Sequence, residues 1–596
     1  MVPGPTDPGA TTGDWTPANG TPANGTPGAT TGDAIATTDP ADSNRAVSGL
    51  PSPGPTIDRP ARDARTAGRP SRAEVAALLG VVALAAAIRL PGLAARGQWD
   101  SDQGGQMLVL RAFVRDGAVP LVGPAASVGG FHHGALYYWL LAPAAALSGG
   151  NDPYPVLLEF ALAGIAAVVV AWWAAREMAG PVAGLIAALL LTVSSASIAA
   201  STWLWNPNPV PLASLVAVGA AWRAWRRQSP RWWAVAAAAV ALAGQLHVLA
   251  WVLALPIAGL YGLDLWRTVP GANGRRRRVL AWGGVGVAVV VLASVPLLLY
   301  ELGHDFAETR GVVAFLAAGG SQSTTPLGAR VFVVAVRVLS WPLTGLLTAA
   351  PVPAVLAAVG IVAGLAWRAV RGQGGERAAA RWLLASLAVA CLVLGIGVGS
   401  LAEVTPLPVD QYHAAFDPVV VLAAALAIAG LAGAGRSDVK SGRTLGAVGT
   451  VDGPSREPRW STHAGLAAAA VITLLIVAWN VTTWPPWVSP DGGWPAAAAA
   501  ARRVEADVGG RPFALVSLPS FKPPDAYLYP LVRDGREPVQ SSAAHAIVVL
   551  CDDLFVTDCT TATDSAARAT LGTVRVVDRF SPAPGRHLAI YAGMGG

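Results

Sequence analysis

Two carboxylates stand two residues apart in the run Gln98-Trp99-Asp100-Ser101-Asp102-Gln103-Gly104-Gly105-Gln106. One carboxylate of such a pair can take the proton of a hydroxyl as general base, and the two together can hold a divalent cation. A plain solvated loop is the alternative, since short acidic motifs recur by chance. Thirty residues on, the chain reads Phe131-His132-His133-Gly134-Ala135-Leu136-Tyr137-Tyr138-Trp139. The imidazoles of His132 and His133 can donate hydrogen bonds to a lipid phosphate, whereas aromatic rings beside them are ordinary interface anchors. Further polar groups gather in Trp205-Asn206-Pro207-Asn208-Pro209, in Glu301, His304 and Asp305, and in Asp410-Gln411-Tyr412-His413. Glu159, Gln245 and His247 fall in or near apolar runs, where polar groups are costly and often functional; two runs meet at Gln245 and His247, which suits a surface position equally well.

The elements that must position these residues are membrane helices. Of 596 residues, 53% are hydrophobic and only 13% charged, against about a quarter charged in a soluble domain. That balance, with a mean hydropathy of +0.48, excludes a soluble enzyme. Continuous rather than alternating apolar runs argue against a transmembrane barrel. The net charge of +6 is carried by Arg, with Lys only at 440 and 522. Most of these Arg lie between apolar runs, where they orient helices and say little for nucleic acid.

Residues 1–70 are rich in Pro, Gly, Thr and Ala, repeat TPANG at 16–25, and are expected to be a disordered cytoplasmic tail without a secretory signal. Arg59, Arg62, Arg65, Arg69 and Arg72 precede the first apolar run at 74–93, which places the loop carrying Asp100 outside. Further spans are expected near 155–176, 181–202, 207–224, 232–247, 249–266, 279–300, 350–369, 382–403, 415–434 and 464–483. With these eleven, the basic clusters at 223–231, 275–278 and 368–381 all fall in the cytoplasm. Two apolar stretches, 134–147 and 331–347, then read as helices along or re-entering the outer surface; as ordinary spans they would give thirteen. Residues 71–483 thus form the transmembrane domain. Residues 484–596 carry short β-type runs and read as a small extracytoplasmic α/β domain, where Cys551 and Cys559 are free to pair in a disulfide.

An N-terminal span, an acidic D-x-D loop, an H-G-x-L-Y-Y-W-L-L-A-P-like surface helix, a pair of spans and a W-N-P-N-P loop together resemble the GT-C class of integral membrane glycosyltransferases. The resemblance is strongest to the bacterial protein mannosyltransferase and aminoarabinose transferase superfamily, and covers roughly residues 74–435. It implies a polyprenyl-phosphate sugar as donor and transfer to an envelope acceptor (lipid, glycan or protein) on the outer face of the plasma membrane. In that setting Asp100 is the base and Asp102 orients the acceptor or a cation. His132, His133 and Arg330 are then donors to the leaving phosphate. Gln103, Tyr137, Tyr138, Asn206, Asn208, His247, Glu301, Gln411, Tyr412 and His413 are candidate donor or acceptor contacts. The chain shows W-D-S-D-Q where many relatives show a D-E pair, which leaves open which carboxylate is the base. A transporter or lipid flippase is the competing class; it calls for ionisable groups at mid-membrane and internal symmetry between halves, neither of which is evident. A non-catalytic scaffold displaying residues 484–596 is the third.

Overall fold

The computed structural model describes residues 69–126, 129–268, 274–318, 323–345, 351–402, 410–433 and 460–594. The tail expected at 1–70 lies outside them apart from its last two residues.

The chain opens with α1 (Arg72–Arg89), a short α2 (Leu93–Arg96) and α3 (Ser101–Asp116). A two-stranded antiparallel ribbon, β1 (Val122–Ala125) with β2 (His132–Gly134), leads into α4 (Leu136–Ala146). There follow α5 (Tyr154–Ala179), α6 (Pro181–Val193), α7 (Ser195–Ser201), α8 (Val210–Arg226), α9 (Arg231–Leu246), α10 (Ala254–Arg267) and α11 (Arg275–Gly303). The helical part continues with α12 (Ala307–Ala317), α13 (Leu327–Thr344), α14 (Pro351–Arg371), α15 (Gly374–Gly397), α16 (Asp417–Gly433) and α17 (Trp460–Thr482).

The protein is a multi-pass membrane protein of mostly helical fold. Among the described residues, seven helices are long and apolar enough to cross a membrane, or eight if the pair α6 and α7, bent by 65°, is one span. Six of the eleven expected spans are among the seven, and the bent pair is another. The other four are α1, α8, α9 and α16. The last three have 17, 16 and 17 residues, so each rises only about 24–26 Å. Helix α1 carries Arg72, Glu74 and Arg89 within 18 residues.

The seventh long apolar helix is α13, read from sequence as a surface element. Its start is tied to the C-terminal end of α15, where Arg330 donates to the Ile396 carbonyl at 2.9 Å. Its end is tied to the C-terminal end of α17, where Asn480 donates to the Leu343 carbonyl at 2.7 Å. Both attachments lie at the ends opposite the basic connections.

Those basic connections meet at one end of the bundle. Arg275 donates to the Gln228 carbonyl at 3.0 Å, Arg267 lies 4.9 Å over Trp225, and the Arg226 guanidinium crowds Gly375. Nearby, Glu177 takes both Arg223 (2.6 Å) and Arg227 (2.9 Å), joining α5 to α8.

The break between α6 and α7 frees carbonyls that an apolar surrounding cannot solvate. Arg89, fully buried, reaches them: its guanidinium donates to Leu191 and Thr192 at 3.0 Å each, and to the hydroxyls of Ser197 and Ser201 at 3.1 Å each. Arg89→Met leaves the two carbonyls without the guanidinium and is expected to cost about 3 kcal/mol, one to three per orphaned group; a lowered midpoint in thermal inactivation of the detergent-extracted protein measures it.

Residues after α17 form the small sheet domain expected at the C-terminus. Helix α18 (Gly493–Val508) precedes β3 (Phe513–Leu518); α19 (Asp525–Arg533), β4 (Ala546–Asp552), α20 (Cys559–Leu571), β5 (Val574–Ala583) and β6 (Arg586–Gly593) follow. The sheet order is β3-β4-β6-β5, with β3 parallel to β4 and the other pairs antiparallel. Strand β4 is buried along its whole length, as the central strand of a covered sheet must be. A disulfide joins Cys551 to Cys559 and closes the loop between β4 and α20.

Candidate active site

Helix α3 begins where the acidic motif begins. Asp100 is its N-cap: the side chain accepts from the Ser101 amide at 2.8 Å, and Gln103 accepts from the Asp100 amide at 2.9 Å, a closed capping box. The other end of the Gln103 side chain donates to the Leu204 carbonyl at 2.9 Å, tying α3 to the W-N-P-N-P loop. Gln103 is thereby used for structure rather than left open to a substrate.

Asp100 has further partners in the C-terminal domain. Its Oδ2 lies 2.9 Å from Arg586 and 3.3 Å from Lys522, and Lys522 also pairs with Asp552 at 2.5 Å. Arg586 donates to the Trp99 carbonyl at 2.8 Å, the Trp99 amide donates to Asp491 at 2.8 Å, and the Trp99 indole donates to the Ala526 carbonyl at 3.0 Å. Asp100 is thus a cap and an ion-pair hub between the two parts of the chain.

Asp102, half a turn on, is different. It is exposed, yet protein surrounds it closely enough that burial is the main reason its carboxyl holds its proton more tightly than usual, with the Asp100 charge second; a hydrogen bond from Trp205 and the charge of Lys522 work the other way. Asp102 is thus open to solvent yet closely flanked by protein. The Trp205 ring is held by stacking on Trp203 at 4.6 Å.

From Trp205 the W-N-P-N-P loop leads to the histidines. Asn206 donates to the Leu246 carbonyl at 2.9 Å, and Asn208 to the Trp203 carbonyl at 2.7 Å. Next to Leu246, the His247 ring lies 4.8 Å from His133 and 5.9 Å from Tyr412. His133 Nδ1 accepts from the Val248 amide at 3.3 Å, which leaves Nε2 to carry the proton of the neutral ring. Burial, and then the neighbouring His132, push His133 down to about 4, so it is a neutral donor at neutral pH.

Other residues singled out from sequence have structural partners. His132 pairs with Glu308 at 2.8 Å, anchoring β2 to α12. Glu301 accepts from the Thr309 amide at 2.8 Å and so holds the start of α12. The fully buried Tyr137 donates to Gln106 at 2.5 Å, and its neighbour Tyr138 is buried with it. Arg330 is bonded to Ile396 as above. His413 is fully buried, with Nδ1 2.8 Å from Asp417 and its ring against Trp341. Gln411 and Tyr412 form the short turn before it.

The Asp100–Asp102 pair is not arranged to hold a divalent cation between its carboxylates. Asp100 already faces two cationic side chains, and no group of three or more His, Cys, Asp or Glu among the described residues is arranged to hold a metal.

The residues that sequence reading passed over come from the C-terminal domain. Asp552 holds Lys522, and Asp525 sits on α3. There the helix has no side chains to keep α19 away. A methyl at Gly104 would lie 2.0 Å from the Asp525 carbonyl oxygen, and one at Gly105 would lie 2.8 Å from its Oδ2. Two successive glycines inside a helix are costly, and that cost was the available signal of a close approach.

The membrane fold, with its acidic loop at the end away from the basic connections, is of the GT-C glycosyltransferase type. The family model described as dolichyl-phosphate-mannose-protein mannosyltransferase matches residues 132–300, from β2 through nearly all of α11. Among solved structures, ArnT from Cupriavidus metallidurans, bound to undecaprenyl phosphate, superposes with a TM-score of 0.52 at 14% identity, over 86% of this chain and 97% of that one. The oligosaccharyltransferase AglB from Archaeoglobus fulgidus gives 0.43 at 12% identity, over 87% and 74%. Arabinofuranosyltransferase AftD from Mycobacteria gives 0.42 at 16%, over 88% of this chain and 42% of its own length. No curated protein matches. The resemblance read from the sequence is therefore borne out, and the family match supports a membrane glycosyltransferase.

Proposed function

We propose that the protein moves a sugar from a polyprenyl-phosphate donor to an envelope acceptor at the outer face of the membrane, with Asp102 as the base. The observation that carries this reading is the Asp102 carboxylate: open to solvent, with raised proton affinity, and free of any ion pair among the described residues. The undecaprenyl phosphate in the ArnT structure supports the donor class. The acceptor hydroxyl oxygen bonds to the anomeric carbon as the bond from that carbon to the phosphate oxygen breaks. The electron pair leaves with polyprenyl phosphate, and the hydroxyl proton passes to Asp102. Attack opposite the leaving group inverts the anomeric centre. Asp100, assigned as the base from sequence, becomes the residue that fixes the start of α3 and hence the place of Asp102.

His133 at Nε2 is the neutral donor nearest in kind to what a departing phosphate needs. The orientation follows from the basic connections, which favour the cytoplasm, and the disulfide of the C-terminal domain suits an oxidising compartment. The test is release of free polyprenyl phosphate from a panel of labelled polyprenyl-phosphate sugars by membranes containing the protein with envelope extract. Release that depends on Asp102 supports the transfer and identifies the sugar. Equal release by the wild type and Asp102→Asn, with suitable acceptors present, overturns Asp102 as the base, and equal release by Asp100→Asn as well overturns the transfer in favour of a transporter or scaffold.

A further inference from the structure

The C-terminal domain places one more carboxylate against the acidic helix. Helix α19 rests on α3 at Gly104 and Gly105, and the Asp525 side chain lies where a Gly105 methyl would be. Gly105 is three residues after Asp102, so the two share one face of α3. The Asp525 carboxylate therefore lies along the strip of helix surface that carries Asp102. Neither has an ion-pair partner among the described residues, because the cations of this seam are occupied: Arg586 by Asp100 and Asp491, Lys522 by Asp100 and Asp552.

We propose that Asp525 is a positioning residue for the transfer step, holding a negative charge beside Asp102 that strengthens Asp102 as the base when the acceptor hydroxyl gives up its proton. This rests on the transfer reading above. Two carboxylates side by side lose their protons in separate steps. Burial, and then the Asp102 charge, push Asp525 up to about 6. Around Asp102 stand Asp100 from the cap of α3, Trp205 from the W-N-P-N-P loop and Lys522 from the segment before α19. The buried hydroxyls of Tyr137 and Tyr138 also face Asp102. The Asp100 charge, which also acts on Asp102, is shared with Arg586 and Lys522, whereas Asp525 has no ion-pair partner among the described residues. The sign follows. Below about pH 6 Asp525 is neutral and Asp102 is the weaker base; above it Asp525 is ionised, the proton affinity of Asp102 rises, and transfer speeds up.

The test is the pH profile of polyprenyl-phosphate release for the full-length wild type and for Asp525→Asn, Asp525→Glu and Asp102→Asn. The wild type is expected to gain roughly five- to tenfold in kcat across pH 6, a part of the hundredfold or more that general bases supply. Asp525→Asn is expected to stay at the low-pH rate with no step there and with KM unchanged, and Asp525→Glu to restore the step. Equal turnover by Asp102→Asn and the wild type removes Asp102 as the base, the part of the transfer reading on which this inference rests. With Asp102→Asn inactive, a wild-type profile in Asp525→Asn overturns this inference alone. Where Asp525→Asn melts below the wild type, Asp525→Glu decides: a wild-type step supports the role of the charge, and a missing step overturns it.

Discussion

Asp102→Asn is expected to reduce release of polyprenyl phosphate by about 10³-fold while the protein stays folded, in line with the 10²–10⁴ that a positioned general base supplies. Asparagine fills the same space and still accepts a hydrogen bond from Trp205, so its surroundings keep their shape. What it cannot do is take a proton. Asp100→Asn is the informative contrast. It keeps the cap on α3, because asparagine caps as well as aspartate, but it strips Arg586 of its nearest carboxylate at 2.9 Å and Lys522 of one of two. Its expected loss is smaller, about tenfold, and comes with a lower melting temperature, since it leaves a largely buried cation short of charge. If Asp100→Asn is the inactive variant and Asp102→Asn is not, the assignment of roles is reversed. Rates and melting curves of the two variants, measured side by side, settle which applies.

The helical membrane class was legible because continuous apolar runs have no other economical reading, and the acidic loop was legible because charged residues are rare in this chain. The helix along 331–347 was legible in part. Its charge pattern argued against a span, while its length and apolar content satisfy the requirement for one; only the bonds at its two ends, to Ile396 and Asn480, set it across the helix ends. The division of labour between Asp100 and Asp102 was not legible. It depends on Arg586 and Lys522, more than 400 residues away in sequence, and no local pattern announces such partners. Likewise His132 and His133 look equivalent in a string of letters. In the fold one is held by Glu308 and the other is buried neutral against His247.

The close seat between α19 and α3 yields the second large effect. Alanine is normally the better helix residue than glycine by about 1 kcal/mol, so Gly104→Ala in an unconstrained helix would stabilise the protein. Here the new methyl would meet backbone: the Asp525 carbonyl oxygen at 2.0 Å, its carbon at 2.2 Å and the Ala526 nitrogen at 2.6 Å. None of these can rotate aside. Helix α19 must lift by about 1 Å or more, which strains the bond from the Trp99 indole to the Ala526 carbonyl and carries Lys522 and Asp525 away from the acidic loop. A displacement of that size at a catalytic site can cost about 10²-fold, and that is the expected loss of release for Gly104→Ala. Gly105→Ala meets only the tip of the Asp525 side chain, which can swing away. It is therefore expected to keep its turnover below pH 6 and to lose only the roughly five- to tenfold gain above it that Asp525 confers. Limited proteolysis provides a readout independent of any substrate: the segment before α19 should be cut faster in Gly104→Ala than in Gly105→Ala or the wild type. Equal behaviour of the two alanine variants would mean that the C-terminal domain does not sit on α3 in the working protein, and with that the composite acidic site would fall.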